Sequence, residues 1–382
     1  MDNNPVSPPL NPPPPISPPP VITPPPLPAR SRKGRGWMII AIVLLVLLAG
    51  SVLLNFSQLF DGLVAVGGRS YRQAGPQLIE TLVEDNSSHH KIAVIPVDGI
   101  ISSMAQQGGY TMAERIKAQL DRAADDDRVK AVLLKVNSPG GEVLASDDIN
   151  RALAKFQKDS GKPVIAAMGS LAASGGYYVA APSRWIVANE LTITGSIGVI
   201  ISSLNYRGLM DKVGLRPEVF KSGKYKDMLS GAREPSSITQ EERDMIQALV
   251  DEVYQKFKTI VVEGRDYANR KNQSSKQKED QGRTLAENWT EYADGRVLSG
   301  SEAFKLGFVD ELGDNDAAVK RACKIAGISK ADLVEYRVRV DFANLLGLVG
   351  STEGRTFKID LGLDAPKLQA GHLYFLSPNF VH

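Results

Sequence analysis

Histidine is nearly missing from this chain. Only His89, His90, His372 and His382 occur, so the stretch from Lys91 to Gly371 holds none. A Ser-His-Asp triad in that stretch would have to borrow its imidazole from a flank. A zinc site of histidine and cysteine ligands is excluded on the same ground. Cysteine is down to one, Cys323. That rules out an intrachain disulfide but does not fix the compartment. Net charge is low, +2 over 382 residues, and aromatics are 7%. Nothing gathers basic residues into the face that nucleic acid requires. No nucleic-acid partner, no metal and no cofactor are therefore expected. The length fits one large domain or two moderate ones.

Proline, by contrast, is concentrated. Residues 1–30 contain 14 prolines. Such a segment lacks the N–H donors for helix or sheet and reads as a solvated, disordered or polyproline-II tail. Arg30, Arg32, Lys33 and Arg35 follow, and then no charge appears until Asp61. The apolar run from Trp37 to Leu54 would span about 27 Å as a helix at ~1.5 Å per residue. That nearly matches a hydrocarbon core of ~30 Å. Basic residues on its N-terminal side predict a cytoplasmic tail and an extracytoplasmic body. A cleaved signal peptide would have a shorter apolar core and no long proline-rich leader. The expected organisation is a proline-rich tail with a basic flank (1–36), a transmembrane anchor (37–58), a spacer (59–90), an α/β body (91–345) and a C-terminal extension (346–382).

From Lys91 the pattern alternates. KIAVIPVDGII, VKAVLLKVNS, KPVIAAMGS and WIVANELT read as strands. TMAERIKAQLDRAADD and EVLASDDINRALAKFQKDSGK read as the helices between them, and Thr111 with Glu114 forms a capping box. This order predicts parallel strands covered by helices. A second capping box, Thr239 with Glu242, opens a long helix, and a further helix starts near Asp316. The polar stretch near 268–284 reads as an exposed insertion. No internal repeat is visible.

The third strand runs into MGSLAASGGYYVAAP, in which Ser174 precedes two glycines. It is either an ordinary turn or a nucleophile at a sharp corner. The Gly-x-Ser-x-Gly pattern of α/β-hydrolases is absent around it. Without histidine, a nucleophilic serine needs another base, and lysine can serve. A free lysine titrates near ~10.4, whereas a base working at neutral pH needs ~7 to 8. That drop of roughly three units, or about 4 kcal/mol, requires burial with no carboxylate on the amine. EVFKSGKYKDMLSG offers Lys221, Lys224 and Lys226, and spacing does not choose among them. Asp227 would spoil Lys226 by folding onto it. The Gly175 amide, with a second amide from the Pro139-Gly140-Gly141 turn, would supply an oxyanion hole. Ligands in parallel α/β sheets bind at that end of the strands.

The motifs VNSPGGEVLASDDI, MGSLAASGGYYVAAP, TGSIGVI and FKSGKYKD stand in one order over about Lys91 to Gly313. In this the chain resembles the signal peptide peptidase A (protease IV) family, in its short, single-copy, anchored form. The resemblance implies a ClpP/crotonase-like βαβ spiral fold and a Ser/Lys dyad. Carried over by position, Ser174 is the nucleophile, Lys226 the general base, Ser196 the residue orienting the lysine amine, and Gly175 and Gly141 the oxyanion donors. It also implies peptide substrates, chiefly remnant signal peptides, at the inner membrane with the catalytic domain in the periplasm, and a ringed homo-oligomer. The proline-rich tail and the insertion near 268–284 depart from the family pattern without touching a motif.

Ala172, Ala173 and Gly176 suggest shallow apolar pockets, and Tyr177 and Tyr178 suggest packing. Two other functions share parts of this pattern. A crotonase-type acyl-CoA enzyme would use the glycine oxyanion hole without a dyad. A ring-forming scaffold would keep the fold and do no chemistry.

Overall fold

The computed structural model describes residues 40–48, 51, 75–106, 109–275, 277–339 and 374–376. The chain separates into two units, residues 1–73 and 74–382. In the first, residues 40–48 are helical. Apart from residue 51, the rest of the expected anchor, the proline-rich tail and residues 59–74 of the expected spacer lie outside the described residues. Among the described residues no helix is long and apolar enough to cross a membrane.

The second unit contains, in order, β1 (Leu78–Glu84), β2 (Lys91–Asp98), α1 (Met112–Asp125), β3 (Val129–Ser138), β4 (Gly140–Glu142), α2 (Val143–Ser160), β5 (Val164–Ala173), α3 (Gly175–Ala180), β6 (Trp185–Ala188), β7 (Ile193–Gly195), α4 (Arg207–Lys212), α5 (Gln240–Asn272), β8 (Val297–Ser299), α6 (Gly300–Lys305), β9 (Glu311–Leu312), α7 (Asn315–Ala326), β10 (Asp332–Val338) and β11 (Tyr374–Leu376). The main sheet runs β1-β10-β2-β3-β5-β6-β9. Along this path the neighbours are parallel except β1 with β10; off it, β7 pairs parallel with β5 and antiparallel with β8. This is the α/β order expected from the alternation.

The period of the strands decides which face each residue joins. Ile92 and Val94 face one core, while Ala93, Ile95 and Val97 face the other. The first core is closed by Ala318 and Ala322 of α7. The second is closed by α1, whose Met112, Ile116, Leu120 and Ala123 recur at helical spacing, and by α2, α3 and α5. The two expected capping boxes form, at Thr111/Glu114 and Thr239/Glu242.

Three segments differ from expectation. Leu78–Glu84, assigned to the spacer, pairs antiparallel with β10 as an edge strand. WIVANELT is strand only as far as Ala188, and β7 starts just beyond it at Ile193: Thr192 Oγ1 accepts from the Asn189 amide and donates to Gly169 O at 2.8 Å, which breaks the run. β5 is long enough to pair with β6 through its first half and β7 through its second. The polar insertion is only partly exposed. Ala268, Asn269 and Asn272 are buried as the last turns of α5, and Asp280 pairs with Arg321 at 2.6 Å.

α5 is fastened by a fully buried ion pair. Arg265 Nη1 lies 3.0 Å from Asp310 Oδ2 and both side chains are inaccessible. Asp310 also accepts the Ile186 and Arg283 amides. Removing one partner strands the other charge in an apolar interior. Asp310→Ala should lower unfolding stability by about 3–5 kcal/mol, read from urea midpoints. An unchanged midpoint would show that the pair does not hold α5.

Candidate active site

Strand register builds the site. β5 and β7 are parallel, with Ala173 opposite Gly195. The next residues, Ser174 and Ser196, therefore leave adjacent strand ends side by side. Both are buried, and both adopt left-handed φ, 56° and 51°. Such a conformation is costly for a side chain larger than hydrogen and collects at functional corners. Ser174 is held there from both sides: its amide donates to Gly195 O at 2.8 Å and its carbonyl accepts from the Tyr178 amide at 2.9 Å. Ser196 donates its amide to Arg296 O at 2.7 Å.

Ser174 is 1% exposed, and its Oγ finds no hydrogen-bond partner among the described residues. A buried hydroxyl left unbonded calls for a reason, because desolvation without a partner is unfavourable. It does not cap α3 either.

The two glycine turns meet beside it. A Cβ placed on Gly175 would stand 3.1 Å from both Gly140 Cα and Gly141 N. A Cβ on Gly141 would sit 1.9 Å from Ile101 O, and Gly140 has φ +103°. Only glycine fits at these two positions, and their fit lets the backbone of residues 140–141 pack directly against that of residue 175. Ser174, Gly175, Gly141 and Ser196 are thus brought together.

Lys226 is not brought there within one chain. It is exposed, and the unpartnered Ser174 Oγ makes no contact with it. Its two rivals are engaged. Lys221 pairs with Asp227 at 2.7 Å, and Lys224 pairs with Glu241 at 2.7 Å, which pushes the Lys224 amine up from its ordinary value. Asp227 turns to Lys221 and Arg233 rather than back onto Lys226. Of the three lysines, Lys226 alone makes no carboxylate contact among the described residues, which is what a neutral amine needs.

Arg233 ties this segment to the start of α5. Its guanidinium lies 2.5 Å from Glu242 and 3.6 Å from Asp227. That contact, with the Thr239 amide, holds the Glu242 carboxyl down at about 2. A depressed folded value means that the contribution is full above the unfolded value and fades as pH falls toward the folded one. Amide exchange at residues 233–242 should therefore quicken as pH drops from about 4.5 toward about 2, after correction for intrinsic rates. Flat protection across that window would remove the clamp.

The small residues of the motif do not form a pocket. Ala172, Ala173 and Gly176 are buried, and a Cβ on Gly176 would stand 2.6 Å from Ser138 O. They pack the corner against β3. Tyr177 packs as expected, with its hydroxyl donating to Phe308 O at 2.9 Å. The sequence reading missed β11. It pairs antiparallel with β4, with Phe375 opposite Gly141. Its one signal is the short apolar run LYFL at 373–376.

The model of Peptidase family S49 matches residues 156–329. An Enterococcus faecium protein provisionally named signal peptide peptidase SppA is 36% identical over 265 residues, covering 68% of this chain and 71% of that protein. Protease 4 of Haemophilus influenzae is 35% identical over 250 residues, covering 63% of this chain and 36% of that protein. The chloroplastic serine protease SPPA of Arabidopsis thaliana is 32% identical over 270 residues, covering 69% and 37%.

Proposed function

The chain belongs to peptidase family S49 and is a serine peptidase, and from that premise we propose that it is a membrane-anchored endopeptidase that cuts remnant signal peptides and other extracytoplasmic peptides with a Ser174/Lys226 dyad. The observation that carries the reading is Ser174 itself: buried, strained, its Oγ without a partner among the described residues, and close to the backbone of Gly175 and Gly141.

In this mechanism the neutral Lys226 amine takes the Ser174 proton as Oγ attacks a peptide carbonyl carbon. The oxyanion accepts from Gly175 N–H and Gly141 N–H. The C–N bond then breaks, and the lysine returns its proton to the leaving amine. Water, deprotonated by the same amine, hydrolyses the acyl ester and restores Ser174. Ser196, at the end of the neighbouring strand, orients the amine.

Because Lys226 is exposed in the single chain, its partner serine belongs to a second copy. The segment around it supports this. Leu204 and Phe220 are 80% and 88% exposed, and Leu209, Val213 and Leu215 are exposed beside them. Large apolar side chains left exposed along one segment suit an interface. A heterologous contact of this kind closes into a ring when its rotation allows. The apolar run from Trp37 with its basic flank supports a single-pass anchor in the inner membrane, with the tail cytoplasmic and the catalytic unit periplasmic.

The test uses the full chain recovered from membranes and a synthetic peptide copied from an apolar signal-peptide core. Discrete fragments with wild type and none with Ser174→Ala are expected. Equal fragmentation by both would remove the nucleophile, and a full chain released by carbonate washing would remove the anchor.

A further inference from the structure

The glycine turn beside Ser174 is braced by the chain that follows β2. Gly99, at φ +74°, turns that chain, and its amide donates to Asn137 O at 3.0 Å. Ile101 then lies alongside the turn in a parallel bridge with Gly141. Its amide donates to Gly140 O at 2.9 Å, and its carbonyl accepts the Glu142 amide at 2.8 Å. In such a bridge the neighbours of the central residue make the bonds, so the Gly141 N–H is left on the opposite edge. A slip of residues 99–103 against the turn would therefore tilt the Gly141 amide.

Glu142 closes this brace. It is only 7% exposed and stands at the N-cap of α2. An acceptor side chain there ordinarily bonds the first helical amides. Glu142 makes no such cap bond and turns to the loop instead. Its Oε1 accepts from the Ser102 hydroxyl at 3.2 Å. Its Oε2 accepts from the Ser103 amide at 3.0 Å and from the Ser103 hydroxyl. Its backbone carbonyl accepts the Ser146 hydroxyl at 2.8 Å. The residue after Gly141 is thus held at its amide, its carbonyl and its carboxylate. Ser146 also underlies the nucleophile corner, since its Oγ would stand 2.8 Å from a Cβ on Gly175. Burying a carboxylate is unfavourable unless donors meet it, and bonds to a charged acceptor are the stronger kind. An apolar side chain would avoid that desolvation, so stability alone does not account for a carboxylate at this position.

We propose that Glu142 is a positioning residue: through Ser102 and Ser103 it clamps the loop after β2 onto the glycine turn and fixes the direction of the Gly141 amide. The proposal rests on the peptidase reading, which makes Gly141 an oxyanion donor. Glu142 acts through the turn rather than on the substrate. A preorganised donor acts where charge develops in the transition state. Its misplacement should slow the chemical step and leave ground-state peptide binding alone.

The test uses the full chain recovered from membranes, the signal-peptide-core peptide as substrate, and an aldehyde of that peptide as transition-state analogue. Ser174 Oγ adds to the aldehyde carbon, the π pair moves onto the oxygen that the turn would hold, and the serine proton passes to Lys226. Glu142→Gln keeps the shape but replaces one acceptor oxygen by a donor. It should lower kcat about ten- to a hundredfold, move KM by less than about threefold, and weaken aldehyde binding by the same factor as kcat. The uncut peptide should bind the Ser174→Ala chain equally well with and without Glu142→Gln. Ser103→Ala removes one hydroxyl and keeps the Ser103 amide, so it decides the matter where Glu142→Gln does not fold. It should move kcat and aldehyde affinity in the same direction by about three- to tenfold. Unchanged kcat and aldehyde affinity in the folded variants overturns the proposal, as does a kcat loss matched by weaker binding of the uncut peptide or by a smaller folded fraction. In each of those cases wild-type cleavage leaves the peptidase reading standing. A wild type that neither cuts the peptide nor binds the aldehyde overturns that reading and the proposal with it.

Discussion

Ser174→Ala is expected to lower peptide cleavage by a factor of about 10⁴ or more, with the fold intact. The size follows from the role. In the proposed mechanism Oγ forms the covalent bond of the intermediate, so its loss removes the route itself, and the Gly175 and Gly141 amides alone would give only residual catalysis. The intact fold follows from the surroundings. The Oγ makes no hydrogen bond among the described residues, so deleting it breaks none, and a buried hydroxyl without a partner is itself unfavourable. The melting midpoint should therefore stay level or rise slightly. A structural serine would behave in the opposite way, with stability lost and activity falling only in step. Measuring kcat and the melting midpoint on one preparation separates the two.

Lys226→Ala should reduce cleavage by a comparable factor, about 10³ or more, while Lys221→Ala and Lys224→Ala should each leave most of the activity. The difference lies in the partners. Lys221 and Lys224 are held by Asp227 and Glu241, and an amine held protonated by a carboxylate is a poor base. The exposure of Lys226 adds a sharper expectation. Ser174→Ala and Lys226→Ala chains are each inactive, yet oligomers assembled from an equal mixture should regain about a quarter of wild-type activity if each site takes its serine from one copy and its lysine from the next. Mixtures as inactive as their parents would show that both residues come from one chain after the segment rearranges.

The body of the fold was legible because its strands are continuous apolar runs and its helices carry capping boxes. VKAVLLKVNS reads as a buried parallel strand at sight, and β3 spans those ten residues. Leu78–Glu84 was not legible. LIETLVE has no clean alternation, and its partner β10 is some 250 positions further on in the chain, so no local signal announces it. The corner at Ser174 was legible in residue type: a serine before two glycines where a strand ends. That Ser196 stands beside it was given by motif resemblance, and the register of β5 on β7 supplies the physical reason. The choice among three lysines was invisible to spacing, because it depends on Glu241 and Arg233 folding back across the segment. The packing of three aromatic rings against one another was hidden for a similar reason. Tyr178, Phe257 and Phe375 are separated by 79 and 118 positions and meet only in three dimensions.

The most direct measurement is the rate at which a serine-directed covalent probe labels Ser174 in oligomers recovered from membranes, compared between wild type and Lys226→Ala. Fast labelling of wild type, on a pH limb near ~7 to 8, and its collapse in Lys226→Ala are expected. Equal labelling of the two, or none in the assembled wild type, would contradict a serine activated by that lysine.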